Sequence, residues 1–133
     1  MVLDTSAILA ILLNEPEIDA FSAAIERDPV RLLSAASLVE ASLVVESRHG
    51  EAGEQELDLL LQTVGIEIVP FDARQAGMAR HAFRTFGKGR HAAALNLGDC
   101  FSYALAQVTG EPLLFKGNDF SRTDVRWVPL GQE

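Results

Sequence analysis

The chain opens MVLDTSAILAILLNEPE (residues 1–17), and the only charged side chain among its first twelve residues, Asp4, decides how the rest is read. Three apolar residues lead into Asp4, and Thr5 and Ser6 then open an uninterrupted apolar run from Ala7 to Leu13. "MVLD" reads as a short buried strand, and "TSAILAILLNE" as a helix that Thr5 or Ser6 caps. A carboxylate where a buried strand meets a buried helix costs free energy unless it is paired, hydrogen-bonded or holding a cation. The apolar run is too short to cross a bilayer and no Lys or Arg precedes it, so neither membrane insertion nor export is expected.

The same alternation continues outward from this opening. Pro16 suits the first turn of a second helix, roughly Glu17 to Arg27, with Ile18, Phe21, Ala24 and Ile25 on one face. "VRLLS" is a second strand, and Ser34 to His49 a helix that Gly50 ends. "EAGEQELDLLLQTVG" reads as a further helix and "IEIVPF" as a strand. Asp72 caps the helix "ARQAGMARHAFRTFG", "KGRHAAALNLG" is a loop, and Asp99 opens the buried helix "DCFSYALAQVTG". "PLLFKG" is a strand, "NDFSRTD" a polar loop and "VRWVPL" a last strand. Short apolar strands joined by helices require parallel pairing, because helical crossovers connect parallel neighbours. The expected fold is α/β, one three-layer domain over 1–133 with a mainly parallel central sheet.

Composition narrows the function classes. A chain of 133 residues, 48% hydrophobic and 23% charged, is that of a globular protein with a real core. One cysteine, Cys100, excludes an internal disulfide framework and a cysteine-built zinc site. A reducing, cytoplasmic setting is therefore expected. The net charge of −8 repels nucleic acid on average, yet its distribution is uneven. Residues 73–98 hold Arg74, Arg80, Arg84, Lys88 and Arg90 and no acid, whereas 14 of the 19 acidic residues lie in 1–72. That basic segment is either a solvated helix face or a track for a polyanion.

Ligands of open parallel sheets bind beyond the carboxyl ends of the strands, where crossovers diverge. Four acids can reach that edge: Asp4 ends the first strand, Glu40 lies in the helix after the second, Asp99 opens the buried helix, and Asp119 follows "PLLFKG". Each has a plain structural alternative. Asp4 and Asp99 could be helix N-caps, Glu40 could complete a capping box with Ser37, and Asp119 could make an Asx turn beside Gly117. Taken together these alternatives weaken, because Glu40 is flanked by Leu38, Val39, Leu43 and Val44 and Asp99 heads a helix too apolar for the surface. Carboxylates packed together raise one another's pKa unless a cation neutralises them. Oxygen-only ligands favour a hard ion, Mg²⁺ or Mn²⁺.

On these residues the chain resembles the PIN-domain ribonucleases of the VapC toxin type. The resemblance rests on "VLDTSAILAIL", "SAASLVEASLVVESRHG", "LNLGDCFSYALA" and "PLLFKGNDFSRTDV", in that order along nearly the whole chain. It implies a Rossmann-like α/β/α sandwich whose acidic pocket holds one or two Mg²⁺ or Mn²⁺ ions and cuts single-stranded RNA by metal-assisted in-line hydrolysis, leaving 5′-phosphate and 3′-hydroxyl ends. Asp4, Glu40, Asp99 and Asp119 match the four pocket acids, as catalytic residues and metal ligands. Thr5 and Ser6 match the neighbouring hydroxyl positions. Asn118 stands where many relatives carry a second acid, and Asp124 is an outer acid. The resemblance further implies a cognate VapB-type antitoxin and homodimers. Arg84, Lys88 and Arg90 are the residues expected to track RNA; Arg74 and Arg80 recur with Arg84 at helical spacing, while Lys88 and Arg90 sit in the loop leading to Asp99.

Other signals fail on context. "GKGRHA" follows a helix instead of a strand, so it is no dinucleotide fingerprint. His49, His81 and His91 lack a zinc spacing, and Cys100 within an apolar helix is a small core residue. A receiver-like signalling domain would carry its phosphorylated Asp on a strand well inside the chain, not at residue 4. A domain that binds RNA or protein without cutting would not need all four acids.

Overall fold

The computed structural model describes residues 1–131, so Gln132 and Glu133, the last two positions of the expected domain, lie outside the described residues. Four short strands, β1 (Val2–Leu3), β2 (Leu32–Ser34), β3 (Glu67–Val69) and β4 (Leu113–Leu114), form one sheet in the order β3-β2-β1-β4. All neighbours are parallel, with Val2 opposite both Leu32 and Leu113. Every connection must therefore be a crossover. Helices α1 (Thr5–Leu12) and α2 (Ile18–Arg27) join β1 to β2, α3 (Ala35–Val64) joins β2 to β3, and α4 (Ala73–Phe86) and α5 (Leu97–Thr109) join β3 to β4.

Strand parity sorts these helices into layers, since successive side chains point to opposite faces of a sheet. Leu3, Leu33 and Leu114 meet Ile8, Phe21, Ile25, Val45 and Leu57 from α1, α2 and α3. Their strand neighbours Val2, Leu32 and Leu113 meet Ala82, Leu95, Tyr103, Leu105 and Phe120 on the opposite face. The result is the expected three-layer α/β/α sandwich. β1 is central, with the chain that leaves it turning toward β2 while the chain that closes the sheet arrives on its other side at β4. This is the reversal of strand order at which a cleft opens beyond the carboxyl ends.

Several local readings are corrected. Asp4, not Thr5 or Ser6, caps α1, accepting the Ser6 N–H at 3.0 Å. Pro16 lies just outside α2, whose N-cap is Glu17. Gly50 does break the helix, at φ 64° and ψ −151°, leaving two arms of α3 on either side of the bend. The N-cap of α3 is Ser34, whose hydroxyl oxygen accepts the Ala36 N–H, so Ser37 lies inside the helix and no capping box forms with Glu40. Helix α5 begins at Leu97 with Asn96 as its cap, two residues earlier than a helix opened by Asp99. "VRWVPL" is not a full strand: Trp127 makes a single parallel bridge to Leu113 at the sheet edge. Two residues of "PLLFKG" and three of "IEIVPF" pair as strands, β3 stopping before Pro70, which has no N–H to offer a ladder.

Among the described residues no helix is long and apolar enough to cross a membrane.

Candidate active site

Asp4 is 4% exposed, and both of its carboxylate oxygens are engaged. Oδ2 accepts the Ser6 N–H at 3.0 Å and the Ser6 hydroxyl at 2.6 Å, while Oδ1 accepts the Ser102 hydroxyl at 2.5 Å. Ser6 Oγ in turn accepts the Lys116 N–H at 2.9 Å, tying the first turn of α1 to the segment after β4. Burial pushes the Asp4 pKa above its ordinary value against the opposing pull of these hydrogen bonds. Asp4 is thus both a helix cap and a buried acid.

Glu40 stands in the second turn of α3, half-buried, with Oε1 accepting the Thr5 hydroxyl at 2.7 Å. Its carboxylate lies directly against Gly98 in the first turn of α5. A Cβ at position 98 would fall on the Glu40 carboxyl atoms, so the absence of a side chain there makes the space that Glu40 occupies.

Asp99 is the third residue of α5 and forms a reciprocal capping box with Asn96: its Oδ2 accepts the Asn96 N–H at 3.0 Å, and Asn96 Oδ1 accepts the Asp99 N–H at 2.9 Å. Its pKa is nevertheless raised to about 7. Burial is the first cause, countered by the Asn96 N–H, and the negative charges of Asp4, Asp119 and Glu40 raise it further.

Asp119 is exposed, at the start of a short 3-10 turn, Phe120–Arg122. Asn118, its neighbour, is also exposed, and its carbonyl accepts from the Ser121 hydroxyl at 2.6 Å. Asp124 accepts the Tyr103 hydroxyl at 2.6 Å.

Asp4, Thr5, Ser6, Glu40, Asn96, Asp99, Lys116 and Asp119 line one cleft of about 260 Å³ at the carboxyl edge of the sheet. Asn118 and Asp124 do not line it. The four acids share a cleft but do not meet at a point: among the described residues no three His, Cys, Asp or Glu side chains are placed to hold one metal ion. The reason is local, since Glu40 is turned to Thr5 and Asp99 to the Asn96 N–H. The cation that lines the cleft, Lys116, has its Nζ 3.0 Å from Glu15 and 3.5 Å from Glu17. The donor set is therefore all carboxylate and hydroxyl oxygen, with an acid raised to about 7 by burial and by its anionic neighbours, and this chemistry fits a hard divalent cation.

The basic residues are exposed, and three of them share a second groove. Arg80, Arg84 and Arg90 line a space of about 620 Å³ between α4 and α5 with Phe71, Phe83 and Leu97. The Arg90 guanidinium lies 5.6 Å from the centre of the Phe83 ring. Lys88 and Arg74 are exposed outside that lining. Cys100 is buried and its thiol is pushed up to about 11, chiefly by burial and then by the Asp99 charge, which makes it a poor nucleophile.

Reading the sequence misses Ser102, Gly98, Asn96 and Lys116. Ser102 carries the one usable signal, as the single aliphatic hydroxyl in the otherwise apolar and aromatic stretch "CFSYALA".

Fold and site together define a parallel three-layer α/β domain that presents an acidic cleft where its strand order reverses. The chain belongs to the PIN-domain family, whose profile matches residues 1–126. It is similar to Ribonuclease VapC30 of Mycobacterium tuberculosis, with 55% identity over 130 residues covering 98% of this chain and 99% of the relative. It is also similar to Ribonuclease VapC of Mycolicibacterium smegmatis, with 56% identity over 128 residues covering 96% and 99%. Among solved structures, VapBC2 from Rickettsia felis bound to a DNA fragment from their promoter shares the fold, with a TM-score of 0.77, 16% identity and 96% of each chain covered.

Proposed function

We propose that this chain is the toxic endoribonuclease of a type II toxin-antitoxin system, cutting single-stranded or looped RNA with the help of Mg²⁺ or Mn²⁺. The observation that carries the chemistry is the cleft itself: Asp4, Glu40, Asp99 and Asp119 line one small space, and the cation on its wall, Lys116, is engaged by Glu15 and Glu17. Membership of the PIN-domain family and the similarity to VapC ribonucleases support RNA as the substrate.

Asp4 and Asp99 would hold the divalent ion, with Glu40 and Asp119 as further ligands or as groups that orient water. When bound, such an ion supplies positive charge to the phosphate oxygens and makes water a better nucleophile near neutral pH. Asp99, poised at about 7, is a group that exchanges its proton for a cation near physiological pH. Glu40, fixed by Thr5, accepts a proton from the attacking water. Ser6 and Ser102 hold Asp4 so that its buried charge is hydrogen-bonded whether or not the cation is present. Arg84, Lys88 and Arg90 lie on exposed surface from which they track the RNA backbone.

An antitoxin of the VapB kind restrains the enzyme, and the toxin pairs with a second copy of itself in the cytoplasm. Val39 at 58% and Leu43 at 63% exposure, one helical turn apart on α3, leave apolar surface that such partners would cover.

The test is to map RNA 5′-phosphate ends in cells after brief expression of the wild type and of Asp4→Asn. New ends in the wild-type sample alone are expected. The same set of ends from both proteins would overturn the proposal.

A further inference from the structure

We infer that Ser102 is a positioning residue for the cation site, acting through Asp4 with Ser37 behind it; the inference rests on the cation-dependent reading above. Ser102 lies in the second turn of α5, fully buried, three residues after Asp99. Its hydroxyl donates to Asp4 Oδ1 at 2.5 Å across 98 residues of chain. A hydroxyl has one proton to give, and this one is committed to Asp4. In the 3.4 Å contact between Ser102 Oγ and Ser37 Oγ, Ser37 is therefore the donor. Ser37 is also fully buried, one turn before Glu40 on α3.

The geometry fixes the carboxylate from both sides. Ser6 holds Oδ2 from within α1, and Ser102 holds Oδ1 from α5. Ser6 takes both acceptor positions of Oδ2 and Ser102 one of Oδ1, which holds the carboxyl plane and leaves one acceptor position on Oδ1 for a cation in the cleft that Asp4 lines. The same hydrogen bond joins α5, which carries Asp99, to the end of β1, which carries Asp4, so it sets the separation of the two proposed ligands. Outer groups that orient ligating carboxylates characteristically change metal affinity by roughly 10- to 100-fold when removed. A purely structural role predicts something different. With a purely structural role, removing the hydroxyl lowers stability, because Asp4 Oδ1 and the Ser37 hydroxyl lose a partner in the buried interior, but it leaves affinity for a cation untouched.

The experiment is Mn²⁺ binding to the purified, RNA-free chain, followed by paramagnetic resonance of the free ion, alongside thermal unfolding. Ser102→Ala is expected to fold, with Mn²⁺ affinity lowered by about 10-fold or more. Ser102→Thr, which keeps the hydroxyl, is expected to bind Mn²⁺ within about threefold of the wild type. Ser37→Ala is expected to show a smaller loss, of the same sign. Wild-type affinity in Ser102→Ala would overturn the inference and leave Ser102 a structural residue. Absence of Mn²⁺ binding by the wild type would instead overturn the cation reading, and the inference with it.

Discussion

Asp4 concentrates the energetics of the site in one side chain. Its carboxylate is buried and accepts three hydrogen bonds, and among the described residues no basic group forms an ion pair with it, so its charge is tolerated only because donors surround it. Asp99 makes the consequence measurable. In the folded, cation-free chain it titrates at about 7 against an ordinary 3.8, so between these values the folded state binds more protons than the unfolded one. Its contribution to stability is full below the unfolded value and is lost as pH rises through the folded value. Asp4, also raised, acts with the same sign. Asp28 is opposite: burial raises it, but its hydrogen bonds outweigh that and leave it lowered, so its contribution is lost only as the solution becomes acidic. We therefore expect the thermal midpoint in EDTA to fall as pH rises from about 4 to about 7 and to level off above, and Asp99→Asn to flatten that fall, as read by scanning calorimetry. An unchanged pH profile in Asp99→Asn would contradict the raised pKa.

At the scale of elements, the site is made by α3 and α5 meeting across the carboxyl edge. Gly98 is where the Glu40 carboxylate of α3 lies against the backbone of α5, filling the space a side chain would take. Because the displaced group would be the far end of a flexible side chain, Gly98→Ala should still fold. Its thermal midpoint is expected within a few degrees of the wild type, while RNA cleavage falls by about 10-fold or more as Glu40 is pushed from its place against Thr5. A variant with wild-type cleavage would show that Glu40 need not sit there. Ser34→Ala tests the start of α3 separately. Removing this cap should lower stability by about 1 kcal/mol, measured by denaturant unfolding, without changing the cleft chemistry.

These elements also show what the sequence can and cannot tell. β1, α1 and α4 are legible because their signals are local: an apolar triplet, a continuous apolar run, and Asp72 as a cap, which accepts the Gln75 N–H at 2.9 Å. The bend at Gly50 is legible because only glycine takes a positive φ freely. "VRWVPL" misleads, since alternation alone cannot tell a paired strand from a segment that makes one bridge to an edge. Asp99 looks like a helix cap because caps and third positions differ by a few residues of register, and Asn96 takes the role. Ser102 is invisible as a partner of Asp4 because the two meet only after the sheet has formed. The four acids are legible as a set through the resemblance and the strand-end rule, but the individual hydrogen bonds that keep them from converging are not.

Over the whole molecule, an acidic protein with a net charge of −8 must still attract a polyanion. We propose that the uneven distribution resolves this: Arg80, Arg84 and Arg90 line one groove, and Lys88 is exposed nearby in sequence. Substituting Lys88 and Arg90 by Gln, in an Asp4→Asn background that does not cut, should weaken binding of a short single-stranded RNA. The salt dependence should flatten by about 0.7 in log–log slope for each phosphate that is no longer neutralised, read by fluorescence anisotropy. An unchanged slope would assign both residues to plain solvation.

The central claim is that these carboxylates form one cation-dependent centre for cutting RNA. It is tested most directly by timing cleavage of a single-stranded RNA by purified wild type and Asp4→Asn protein, each with saturating Mg²⁺ and with EDTA. The account predicts rapid cleavage only by the wild type with Mg²⁺, and a loss of about 100-fold or more in Asp4→Asn. Equal rates for the two proteins in Mg²⁺, or undiminished wild-type cleavage in EDTA, would contradict it.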